Sequence, residues 1–128
     1  MREPIRKLTD HIVEEDSVNH QITVAVLDEP GQGGAHHEYS VSYHTLDGAH
    51  VFQDIAFQNG PVREVGVNGN THEALLAILI DRLRSFQKGS FSTRENAIAL
   101  THMEEALMWL QQRTRQRIKR GVEGTHAV

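Results

Sequence analysis

Arg113, Arg117 and Arg120 stand at i, i+4 and i+7, one stripe of a helix, with Arg115 and Lys119 beside them and no acid between 111 and 120. Guanidinium groups at that spacing form a comb that grips phosphate oxygens, because each offers a planar, bidentate fork. A solvated helix end whose cations complement the macrodipole has the same composition. A second set is Phe86 and Phe91 around a short turn, followed by Arg94 and Asn96. An aromatic for base stacking, an amide for a base edge and a helix N-terminus for phosphate suit a nucleotide. Two aromatics that merely plug the end of a hairpin give the same pattern.

The elements that must position these residues are two helices. The first is predicted over about Thr71–Lys88, closing on Gly89, and the second over about Thr93–Arg120, closing on Gly121. Asn70 with Glu73, and Ser92 with Glu95, read as capping boxes. Leu76, Leu79, Leu83 and Phe86 keep a 3-4 spacing, as do Leu100, Met103, Leu107 and Leu110. The link GSFS forces the helices antiparallel. The second helix then overhangs the first by roughly ten residues, and steps of seven from Ala106 and Leu110 land on Arg113 and Arg117. Asn96 and Arg113 lie ~25 Å apart along one helix at 1.5 Å per residue. They can share a ligand only across a two-fold axis between two copies of the chain.

Upstream, residues 1–18 read as a short helix or an arm. His20–Asp28 reads as a strand, and Glu38–Thr45 alternates Tyr39, Val41 and Tyr43 with Ser40, Ser42 and His44. Asp47-Gly48 marks a hairpin turn, and Val51–Phe57 returns, giving a meander of at least three antiparallel strands. The loop QNGPVREVGVNGN, which contains Asn59, Gly60 and Pro61, permits positive φ and exposes backbone N–H groups, and hairpin geometry sets it beside the overhanging helix end. The fold expected is α+β, an antiparallel meander packed with a long C-terminal helical hairpin. It is one domain over 1–128: an arm over 1–18, sheet and loop over 19–70, hairpin over 71–121 and tail over 122–128.

Composition narrows the chemistry. The net charge is −4, yet without the five cations of the second helix end the remainder holds 8 basic against 17 acidic residues. An acidic body with one basic end is a poor binder of nucleic acid, whose affinity grows with the cations that reach its backbone. It suits a small anion. There are no cysteines, so disulfides and thiolate metal sites are excluded. The opening MREPIRKL lacks a signal-peptide core, and the longest apolar run, ALLAILI, is far too short for a membrane span. Of nine histidines, His36, His44 and His50 could converge with Asp47 or Asp54, but no zinc-binding helix motif is present and no metal is expected. Gly31-Gln32-Gly33-Gly34 lacks the Lys-Ser/Thr tail of a phosphate loop. No nucleophile elbow or paired His-x-Thr/Ser motif is present, so no bond-breaking machinery is legible.

The strings VLDEPGQGGAHHEY, FQNGPVREVGVNGNTHEALLAILIDRLRSFQKG, RENAIALTHMEEALMWLQQRTRQR and RGVEGTH resemble the first-type Thoeris anti-defence sponges of phages, which share a helical hairpin with smaller anti-CBASS sponges. The resemblance runs from Leu27 to His126. It implies a protein that holds an immune nucleotide signal without degrading it, in the cytoplasm of the infected host bacterium. The implied cargo is glycocyclic ADP-ribose, with CBASS cyclic oligonucleotides at a separate site in some members. It also implies assembly as a dimer or as a hexamer of three dimers, with no cofactor and no nucleic-acid or membrane partner. The ligand-binding positions it implies are Phe86, Asn96 and Arg113, with Arg94, Asn59, Gly60 and Pro61 as further contacts; Arg117 joins them as a candidate from the arginine stripe. Two other classes remain open: a phosphodiesterase that cleaves the signal, and a non-catalytic protein-interaction module.

Overall fold

The computed structural model describes residues 2–15 and 17–127. The chain divides into two compact units. One holds residues up to Gly60 with Val67–Gly69; the other holds Pro61–Gly66 and Asn70 onward.

The first unit is a four-stranded antiparallel sheet in sequence order: β1 (Arg6–Leu8), β2 (Thr23–Val26), β3 (Glu38–His44) and β4 (His50–Ala56). β1 replaces the expected helix or arm. Only three residues long, it is a strand because β2 pairs with it, Lys7 opposite Ala25, and no local periodicity announces it. β2 is shorter than expected because Val18–Gln21 forms a 3-10 turn in front of it. The β3–β4 hairpin keeps its Asp-Gly signal, with Gly48 at φ 90°. Its loop is longer than two residues, closed by Thr45 N–H donating to Ala49 O at 2.8 Å. The Asp47 carboxylate accepts from the Thr45 hydroxyl and the Ala49 N–H, which holds its carboxyl below the ordinary value.

On one sheet face Val26 is fully buried opposite Tyr39, whose ring meets Phe57 edge-on at 5.7 Å. On the other, small residues form the floor: Ala25, Ser40 and Ser42 are all buried. Tyr39, Val41 and Tyr43 are only half-buried, so the alternation read in the sequence is present while the serine face is the more enclosed.

The second unit is the hairpin. A one-turn helix α1 (Val62–Val65), absent from the sequence reading, precedes α2 (His72–Gln87) and α3 (Arg94–Lys119). Thr71 and Thr93 are the N-caps, accepting from Ala74 N at 3.1 Å and Asn96 N at 3.0 Å. Each lies one residue beyond the expected cap, since Asn70-Thr71 and Ser92-Thr93 are both pairs of competent caps and the following backbone selects the second. In α2 the residue on the packed stripe is Ile80, 2% exposed, in place of Leu79, which is 48% exposed. The stripe Leu76, Ile80 and Leu83 steps by four and three, which keeps it on one face. In α3 Asn96, Leu100, Met103, Leu107, Leu110, Thr114 and Arg117 are half-buried and form an unbroken 3-4 seam, with Glu104, also half-buried, beside it. The 26 residues of α3 exceed the 16 of α2 by the expected ten.

Candidate functional site

The turn between α2 and α3 is built by a reciprocal amide clamp. Gln87 donates from Nε2 to Thr93 O at 3.1 Å and accepts the Thr93 N–H on Oε1 at 3.2 Å. This holds the end of α2 against the start of α3 and fixes the ground on which Phe86 stands. Phe86 is half-buried, and Phe91 in the turn is 75% exposed. They border an open cavity of about 580 Å3 with Arg82, Asp81 and Ser85. The Arg82 guanidinium lies over the Phe86 ring, 5.0 Å from its centroid. A cation over an aromatic face is worth ~0.5–1 kcal/mol at an exposed site. It helps to order both side chains. Arg82 escaped the sequence reading, although its i, i+4 spacing to Phe86 was legible as a helical neighbour.

The other expected residues fall into separate places. Asn96 is half-buried at the head of the α3 seam and is not among the residues lining the Phe86 cavity. Arg94 is exposed at the first position of α3. Arg113 is exposed, beside the seam rather than on it, with Nη2 at 3.9 Å from a Glu73 carboxylate oxygen on α2. Seventeen residues of continuous helix separate Asn96 from Arg113, ~25 Å at 1.5 Å per residue. One copy of the chain does not bring the turn and Arg113 together.

Arg117 ends the seam and is engaged by the chain itself. Its Nε is 2.7 Å from a Glu123 carboxylate oxygen, and its other nitrogens donate to the carbonyls of Val122 (2.9 Å), Thr125 (3.2 Å) and Ala127. The tail over 122–127 thus folds back on the overhanging end of α3. It also meets α1, where Arg63 N donates to Gly124 O at 3.2 Å and His126 approaches Glu64 at 3.3 Å. The overhang is acid-free only along the helix; Glu123 in the tail and Glu73 on α2 supply carboxylates.

Of the loop residues, Pro61 is buried and caps α1. Asn59 and Gly60 belong to the sheet unit. There the Asn59 N–H donates to Asn68 Oδ1 at 2.8 Å, and Asn68 Nδ2 donates back to Asn59 O at 2.7 Å. Gly60 takes φ 95°, a value that favours glycine. At Gly69 a Cβ would lie 2.4 Å from the Phe57 carbonyl carbon, so the close approach of the two backbones requires glycine there.

The histidines considered for a metal divide. His44 and His50 are register partners with rings stacked at 4.0 Å, whereas His36 donates toward Asp28 O at 2.6 Å. The Asp28 carboxylate accepts the N–H groups of His37, at 2.9 Å, and Glu38, at 3.1 Å. Burial raises its pKa, but those two hydrogen bonds and the nearby His36 and His37 rings outweigh it and hold the carboxyl below 3.8.

These features define a class: an α+β protein whose second unit is a capped helical hairpin, with an aromatic–arginine cavity at its turn and arginines at its far end. Residues 49–115 match the model of the Acb2/Tad1 hairpin domain. A protein of Bacillus phage SBSphiJ7 named Thoeris anti-defense 1 is 49% identical over 96 residues, which is 75% of this chain. The chain belongs to the Acb2/Tad1 hairpin family. The matched stretch spans 65% of the phage relative's length, a little under two thirds.

Proposed function

We propose that this chain is a phage anti-defence protein that binds a cyclic nucleotide immune signal, glycocyclic ADP-ribose first among them, and holds it intact. The observation that carries the reading is the ordered Phe86–Arg82 pair at an open cavity on the hairpin turn, in a chain of this family. Phe86 supplies a stacking face, Asn96 an amide, and Arg113 a cation for the diphosphate, with Arg94 a further contact. Since Asn96 and Arg113 stand ~25 Å apart on one helix, the complete site takes the turn from one protomer and Arg113 from its partner.

Self-association has its own support. Ala25, Val26 and Ile80 are the buried hydrophobic residues among those described, a small core for this length. Trp109, Met108 and Ile98 are meanwhile 75%, 62% and 42% exposed on α3. Ile98 and Trp109 are eleven residues apart, about three turns, and so lie on one side of the helix. His102 and Glu105, 3.4 Å apart, lie between them on that side, so the exposed apolar surface there is the patch at Met108 and Trp109. Such a patch marks a protein interface, and a two-fold axis pairs it with its own copy.

Sequestration requires tight ground-state binding and no transition-state machinery. The test is to load the protein with glycocyclic ADP-ribose, denature it by heat and chromatograph what is released. Intact ligand in stoichiometric yield is expected. A cleaved product would establish a phosphodiesterase, and no retained ligand would leave the interaction-module reading.

A further inference from the structure

The serine face of the sheet holds a second cavity, of about 590 Å3, that the hairpin reading does not use. Its floor is Ala25, Ser40 and Ser42, which are 5%, 7% and 4% exposed. The strand register arranges the walls in rows. Lys7, Ala25, Ser40 and Asp54 form one, Thr23, Ser42 and Phe52 the next, and His44 with His50 the third. The Phe52 ring lies 4.0 Å from that of His50 and is tilted 42° to it, and His50 stacks in turn on His44, so one wall is aromatic.

The two serines are the informative residues. Both are more than nine-tenths buried and both line the cavity, yet no hydrogen bond joins either hydroxyl to another described group. Among the described residues no side-chain oxygen is both fully enclosed and unpaired, so these two open onto the cavity. Water in the cavity can satisfy the two hydroxyls, and a ligand that displaces it must offer hydrogen bonds in its place. Two at i and i+2 on one strand, ~7 Å apart, call for an occupant with polar groups at matching separation.

Charge selects its class. Arg2 is bridged to Glu38 at 3.1 Å, and Lys7 is balanced by Asp54 in the same row. Histidines aside, the lining holds Arg2, Lys7 and Asp54, and Glu38, outside the lining, offsets Arg2, so no cation excess is left to favour a polyanion. Hydroxyls that donate and accept, a carboxylate that accepts, an ammonium that donates and the face of an aromatic ring together suit a ring bearing several hydroxyl groups. The volume lies within the ~300–1,000 Å3 usual for small-molecule sites. We propose that this sheet face binds a neutral sugar ring, free or carried by a nucleoside. Phe52 covers the apolar face of the ring, Ser40, Ser42 and Asp54 engage its hydroxyls, and Lys7 closes the rim.

The proposal does not rest on the hairpin reading, and its test is separate. The full chain, labelled with 15N, is titrated with adenosine, with ribose and with glucose while backbone amide shifts are followed. Saturable shifts centred on Ala25, Ser40, Ser42 and Phe52 are expected. A response to all three supports a sugar site, and a response to adenosine alone supports a nucleoside site. Ser42→Val, which keeps a β-compatible side chain and fills the floor, should weaken binding about tenfold or more. Phe52→Leu, at an exposed wall, carries the same expectation should S42V fail to fold. Phe86→Ala, in the other unit, should leave the sheet response unchanged. No shifts with any ligand, shifts confined to the hairpin, or affinity unaltered by S42V and F52L would overturn the proposal. So would shifts that follow protein concentration alone, because the face would then be covered by a second copy.

Discussion

Arg113 and Arg117 are one helical turn apart and are held differently. Arg117 is spent on the tail: Glu123 and three carbonyls occupy its guanidinium. Arg113 is exposed and has only a 3.9 Å approach to Glu73, the geometry of a weak surface pair. Arg113→Ala should therefore abolish binding of glycocyclic ADP-ribose in calorimetry while shifting the melting temperature little; undiminished affinity would place the phosphate clamp elsewhere. Sequence spacing put both arginines on a continuation of the seam. The structure keeps Arg117 there and moves Arg113 beside it, a distinction that depends on which α3 residues meet α2 and the tail. Phe86 was legible from its place before the turn, whereas its ordering by Arg82 rests on a contact no motif names. Phe86→Ala should weaken ligand binding by ~1–3 kcal/mol, the worth of one stacked base. A binding isotherm superimposing on that of the parent would make Phe86 a plug for the hairpin end.

At the scale of elements, both helices and the β3–β4 hairpin were readable because periodicity, caps and an Asp-Gly pair are local signals. β1 was not, because three residues become a strand only through pairing with β2, far along the chain. The closure of the β2–β3 loop was equally hidden. It depends on Asp28 accepting from His37 and Glu38 across that loop. The folded carboxyl titrates below 3.8, so its stabilisation is fully present above that value and is lost as the pH falls through the lower folded value. Melting temperature measured against pH should accordingly drop in that acid range, and Asp28→Asn should flatten that part of the profile while lowering stability at neutral pH. An identical acid profile in the variant would show that the loop is closed by other groups.

At the scale of the molecule, the exposed Trp109, Met108 and Ile98 and the small buried core are what support the proposed self-association. The sequence carried this as an arginine-loaded helix longer than its partner, although part of that overhang is covered by the chain's own tail. Trp109→Glu should shift the assembly to smaller species in sedimentation and weaken signal binding with it, because the site then loses half its residues. A monomer that still binds with parental affinity would show that the site lies within one chain. Complementation addresses the same point: mixing Phe86→Ala, weakened alone, with Arg113→Ala, inactive alone, should restore parental affinity at about a quarter of the sites under random pairing across a two-fold axis.

The claim beneath all of this is that the chain captures a nucleotide signal, and calorimetric titration of the parent protein with glycocyclic ADP-ribose tests it most directly. The account predicts saturation at one ligand per chain with a nanomolar dissociation constant, ~12 kcal/mol. A folded protein that takes up no glycocyclic ADP-ribose would contradict it.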